Sequence, residues 1–174
     1  HHPGDGVIHP DCVKAVTEAA ALLESLGHDV SPGFPDALAY EAITRRFMAL
    51  WATLSATGIE SYGEMLGRPL LESEVEPLNW LQAEHARNVS GVEYANALAA
   101  TAEFRRRIQQ WWADGWDLLL TPTLGEPPLR IGELDESSGG PMPAMQRAAE
   151  FVPFTPTFNI SGQPAISLPL HWNG

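Results

Sequence analysis

An α/β fold, or its α+β variant, is predicted for this chain on three observations. Apolar residues recur at helical spacing in several long stretches. Short apolar runs edged by proline stand beside them, and glycines fall where helices should stop. Helical periodicity alternating with short apolar runs is the pattern of helices packed on a sheet.

The first helix is expected from Pro10-Asp11, with Cys12, Val16, Ala19, Ala20, Leu23 and Leu26 along it. Proline suits a first turn, and Gly27 suits the left-handed position past a helix end. His28-Asp29-Val30 then reads as the start of a short strand. From Pro35 to about Thr57 the pattern is helical again, with Phe47, Leu50, Trp51 and Leu54 on one stripe. Gly58, Gly63, Gly67 and Pro69 are expected to break residues 58–89 into short helices and turns, one of them Pro77 to Arg87. Ser90-Gly91-Val92-Glu93 has the form of a capping box, in which Ser90 bonds the Glu93 amide and Glu93 reaches back. The helix it opens should run to Trp112 and stop near Gly115.

The next run, Trp116-Asp117-Leu118-Leu119-Leu120-Thr121-Pro122, is expected to be a short buried strand. Residues 124–143, rich in Pro, Gly, Ser and acid, read as a surface loop, and Ala144 to Phe151 as a short helix. Pro164-Ala165-Ile166-Ser167-Leu168-Pro169-Leu170 reads as a strand opened and closed by prolines. A strand just before Trp172-Asn173-Gly174 gives the expectation of a domain cut short there.

Composition narrows the function. The chain has 174 residues, 44% of them apolar, enough for a core. Its net charge of −12 repels phosphate backbones and anionic lipid, so neither nucleic acid nor a membrane surface is an expected partner. A single cysteine, Cys12, excludes an intrachain disulfide framework. No signal-like start precedes the first helix, and a cytoplasmic location is expected. His1 and His2 are a tag remnant or native. The two glycosylation-type triplets, Asn88-Val89-Ser90 and Asn159-Ile160-Ser161, are taken as chance matches.

Three segments carry a family resemblance. One runs from His9-Pro10-Asp11-Cys12 through Leu26-Gly27-His28-Asp29-Val30. A second is Asp117-Leu118-Leu119-Leu120-Thr121-Pro122-Thr123, followed by Pro127-Pro128 and Ile131-Gly132. The third and most specific is Phe154 to Pro169, with its Phe-Asn-x-x-Gly-x-Pro-Ala-x-Ser-x-Pro string. Together, in this order, they resemble the amidase-signature family over nearly the whole chain; residues 34–89 agree only in helical character.

The resemblance implies the C-terminal portion of that fold, with helices around a few strands of a mixed central sheet. Residues 1–174 would then be one partial domain, with a helical cover over 34–115 and a return to the sheet over 117–174. It implies hydrolysis of a small-molecule carboxylic amide to acid and amine by a Ser nucleophile, a Ser in a cis peptide and a Lys base. The family's serine-bearing strings and that Lys are expected upstream of these residues, so the isolated chain should be inactive. No cofactor is implied. Two alternatives stand beside this: a glutaminase-type subunit of a tRNA-dependent amidotransferase, and a non-catalytic interaction domain. Uncovered strand edges would also leave room for self-association.

Candidate site residues follow. Thr121 and Thr123 stand where a strand should meet a loop, often a pocket edge in such folds. Phe158 and Asn159 lie in the most specific segment, where a supporting role is favoured over substrate contact: Asn159 would hold a loop and Gly162 would permit close backbone approach. Trp51, Tyr62 and Trp80 fall in the cover region, with core packing the default. Ser137-Ser138-Gly139-Gly140 imitates the serine string but lacks its preceding glycines and is read as a polar loop. Lys14, the only lysine among ten cationic residues, is read as a solvated surface charge. Cys12 with His9 or His28 shows no catalytic spacing, and no histidine spacing suits a metal.

Overall fold

The computed structural model describes residues 6–39, 42–135 and 139–172. His1-His2 and Ser137-Ser138 lie outside the described residues. Among the described residues six α-helices form: α1 Pro10–Ser25, α2 Ala42–Leu66, α3 Pro77–Ala86, α4 Gly91–Ala113, α5 Pro141–Phe151 and α6 Thr155–Ser161. Short 3-10 turns cover Asp36–Ala39 and Glu72–Glu74. Two compact units result, one of residues 1–40, 105–131 and 147–174, the other of 41–104 and 132–146.

Helix ends follow local chemistry. His9 caps α1, its Nδ1 accepting the Asp11 amide at 3.2 Å, and Pro10 opens the first turn. Gly27, at φ +92°, stops it as expected, while the His28 amide reaches back to the Leu23 carbonyl at 3.1 Å. Ser90 caps α4 by accepting the Glu93 amide at 3.1 Å, and Gly115 turns the chain at φ +108° just beyond that helix.

Two glycines behave otherwise. Gly58 and Gly63 lie inside α2, which runs on to Leu66 and ends at Gly67, with φ +69°. Tertiary packing overrides their weak helix propensity. A Cβ at Gly63 would sit 3.1 Å from the Arg68 carbonyl oxygen, so a turn folds back onto this point. Arg68 then clamps Glu74 through two bonds of 2.8 and 2.7 Å.

In the second unit the core is built from small residues. Ala49 and Leu50 of α2 and Ala97 of α4 are buried, with Phe47 and Val89 packed on them. Alanine at such a crossing lets helix backbones approach closely and leaves no cavity to fill. Phe104 of α4 is 1% exposed, as is Ile108, which belongs to the first unit.

The expected sheet is corrected. None of the described residues is in a strand. Residues 28–30, 117–122 and 164–170 take no regular secondary structure, and no backbone bond joins the latter two runs to another segment among the described residues. A strand exists only through a partner's ladder, and among the described residues no such ladder forms. The loop expected over 124–143 yields to α5 at Pro141, and residues 155–161 form the helix α6.

Candidate functional site

The residues singled out in the sequence fall in several places. Within the first unit, Thr121 is half-buried. Thr123 is exposed, its Oγ1 lying 3.1 Å from Ser167 Oγ of the second proline-edged run. Phe158 and Asn159 both sit on α6 rather than in a loop. Phe158 is half-buried, and its carbonyl accepts the Gly162 amide at 2.8 Å. Asn159 is exposed, and no side-chain hydrogen bond of it occurs among the described residues. No hydrogen bond links Thr121 or Thr123 to Phe158 or Asn159 there.

Gly162 matters through its backbone angle. It caps α6 at φ +71°, where a side chain is strained. Space is not the constraint, because a Cβ would meet only Arg105 Nη2, at 3.8 Å. The close approach expected at Gly162 occurs instead at Gly125. A Cβ there would lie 3.0 Å from the Glu150 carbonyl and 3.2 Å from the Pro153 ring. The Gly125 amide donates to the Phe151 carbonyl at 2.9 Å, and its own carbonyl accepts the His9 amide at 2.8 Å. Gly125 therefore ties the start of α1 to the end of α5. A lone glycine in an apparent surface loop gave no signal of this.

Around that tie the structure gathers side chains the sequence scatters. Cys12 is half-buried in the first turn of α1. Partial burial, aided by the carboxylates of Asp11 and Glu126, pushes its thiol above the ordinary range and disfavours the thiolate. Glu126 pairs with Arg147 of α5. Arg105 of α4 donates from Nε to the Ile160 carbonyl at 3.2 Å, fixing α6. Trp111 stacks on Trp116 at 5.0 Å and meets Trp112 edge-on at 4.8 Å, an aromatic group that sequence spacing did not single out.

Lys14 faces Glu18, with Nζ 3.7 Å from Oε1, both side chains more than half exposed. That is an exposed ion pair, not a desolvated base. Among the described residues no group of three metal-ligating side chains assembles, and no helix is long and apolar enough to cross a membrane.

The second unit carries two open hollows. One, of about 340 Å³, is lined by Arg45, Arg46, Ser90, Glu93 and Asn96 over Ala49 and Ala97. The other, of about 590 Å³, is bordered by Glu72, Pro77, Trp80, Leu81, Glu84 and Pro141. Of the three cover-region aromatics, Trp80 borders the second of these hollows; Trp51 is half-buried on α2, and Tyr62 is 63% exposed.

Comparison with known proteins gives consistent findings. A family model described as Amidase matches residues 2–174. The chain is 37% identical to the 6-aminohexanoate-cyclic-dimer hydrolase of Paenarthrobacter ureafaciens, over 98% of this chain and 36% of the relative. It is 33% identical to the putative amidase AmiC of Mycobacterium leprae, over 92% of this chain and 33% of that protein. A solved structure of 6-aminohexanoate cyclic dimer hydrolase superposes with TM-score 0.88 at 37% identity, covering 97% of this chain and 36% of that one. A second solved structure of that hydrolase, complexed with substrate, matches equally. The chain thus spans about a third of the length of the relatives it matches.

Proposed function

We propose, from the premise that this chain belongs to the amidase family, that it is part of a hydrolase cleaving a small-molecule carboxylic amide to acid and amine. The observation that carries this is the superposition of 97% of the chain on a known amide hydrolase at TM-score 0.88 and 37% identity. In this reading the nucleophilic Ser, the cis-peptide Ser and the Lys base lie upstream of these residues. A serine hydroxyl attacks the amide carbonyl once a neighbouring base takes its proton. A lysine is such a base only where desolvation lowers its pKa. Proton return to the nitrogen expels the amine, and water then cleaves the acyl-serine ester.

This chain's share is support. Thr121, Thr123, Phe158 and Asn159 stand near the substrate side in this reading, acting mostly by holding the pocket wall. The cyclic dimer named for the relative is the first substrate to try, followed by simple linear amides.

The test compares the full-length parent with the isolated chain, following amine release by chromatography. Turnover is expected from the parent and none from the chain above a heat-killed control. Hydrolysis by the chain alone would place the nucleophile within these residues and overturn the assignment of roles.

A further inference from the structure

We infer that the smaller hollow of the second unit is a binding site for the carboxylate of a small aliphatic acid, with Arg45 and Arg46 of α2 as the pair that holds it. The site stands apart from the hydrolytic reading and needs none of its chemistry.

Charge accounting singles these two arginines out. The chain carries a net charge of −12, so its arginines have carboxylates in excess to pair with. Arg68, Arg87 and Arg147 do pair, with Glu74, Glu84 and Glu126. Arg105 donates to the Ile160 carbonyl, and Arg106, Arg107 and Arg130 are engaged as well. Arg45 and Arg46 make no hydrogen bond or ion pair among the described residues. Both are exposed, and both line the hollow of about 340 Å³. Neighbouring guanidiniums without a counter-charge repel each other, so one shared anion relieves that repulsion and adds charge-assisted bonds.

The rest of the lining suits the same ligand. Ser90 Oγ accepts the Glu93 amide, which leaves its hydroxyl hydrogen to donate. The Asn96 side chain is exposed and makes no hydrogen bond among the described residues. Both offer donors to the space that the arginines line. A guanidinium fork matches a carboxylate, and Ala49, Val92 and Ala97 give the hollow an apolar side for a short aliphatic body. Glu93 decides between anions. Its carboxylate lines the hollow yet pairs with neither arginine among the described residues. A negative charge so placed repels a phosphate dianion more than a single carboxylate. The ligand class is therefore a monocarboxylate with a short uncharged chain.

Arginine labelling of the full-length protein tests the inference, with sodium hexanoate as the probe. p-Hydroxyphenylglyoxal modifies accessible guanidiniums, and peptide mass mapping reports each position. Arg45 and Arg46 should label readily in the protein alone. Hexanoate at about ten times its dissociation constant should slow both about tenfold, because only the empty site reacts. Arg68, bonded to Glu74, should not respond, and 1-hexanol, which lacks the carboxylate, should protect neither. In Arg46→Gln the hexanoate affinity read at Arg45 should fall about tenfold, the loss of one charge-assisted bond. Labelling unaffected by hexanoate would overturn the site, as would an affinity at Arg45 unchanged by Arg46→Gln. Arginines already shielded in the protein alone would also overturn it, since another part of the polypeptide would then fill the hollow. Stronger protection by inorganic phosphate than by hexanoate would overturn the choice of a carboxylate. Labelling does not read turnover, so each result stands whether or not the same sample cleaves amides.

Discussion

Two aliphatic residues in the first unit offer a paired test, because one is buried and the other is not. Ile108 is 1% exposed and Leu118 is 74% exposed. Truncating a buried Ile to Ala costs about 2–5 kcal/mol, and Ile→Val about 0.5–1.5 kcal/mol. A fully buried Leu is stabilising by roughly 1.5–3 kcal/mol. With about a quarter of Leu118 covered, Leu118→Ala should cost roughly 0.5 kcal/mol in the isolated chain. A domain of this size shifts its Tm by about 2–4 °C per kcal/mol. Thermal unfolding followed by circular dichroism should therefore place Leu118→Ala within about 2 °C of the parent chain and Ile108→Val about 1–6 °C below it. Should Ile108→Ala fail to fold, Ile108→Val still gives the comparison. In the full-length protein the cost of Leu118→Ala should rise toward the buried value. A loss at Leu118 equal to that at Ile108 in the isolated chain would show that the first proline-edged run is already covered, and the reasoning about exposed edges would fail.

Other expectations concern single sites. Gly162→Ala forces a side chain into φ +71° and should cost about 1–2 kcal/mol in chemical denaturation; no loss would mean α6 ends in another conformation. Ser90→Ala removes the oxygen that accepts the Glu93 amide and should cost about 0.5–2 kcal/mol, read as a lower urea midpoint. The Glu74 carboxyl is held down to about 2 by its bonds from Arg68 and then by the Leu71 amide. Because its folded value lies below its ordinary one, its stabilising contribution is complete above about pH 4.5 and is lost as pH falls toward 2. A carboxyl-detected NMR titration should show that low midpoint, and Arg68→Gln should move it upward; an unmoved midpoint would rule out the guanidinium as the cause.

Helices were legible in the sequence because their signals are local. Pro10, Gly27, Ser90 and Gly115 act within one turn of themselves, and each does what its neighbours predict. Gly63 was misread because its role depends on Arg68 folding back to within 3.1 Å of where a side chain would start. Gly125 went unnoticed for the same reason: its close neighbours, Glu150 and Pro153, lie far along the chain. The candidate site was legible as segments and not as a geometry. The string from Phe154 to Pro169 marks the family, yet its Asn159 stands exposed on a helix where sequence reasoning had a loop.

The missing strands show why family pattern and observed structure diverge here. Leu118-Leu119-Leu120 and Ile166-Ser167-Leu168 carry the composition of segments buried on at least one side, and that composition records the surroundings in which they were selected. Backbone pairing, by contrast, depends on whichever partner is present. Helices close their hydrogen bonds within themselves, so α1 to α6 form from this chain's own residues. A ladder closes only between segments, and among the described residues the runs 117–122 and 164–170 have no backbone bond to another segment. Leu118, Ile166 and Leu168 are each more than half exposed, so apolar composition alone does not bring these runs into a core.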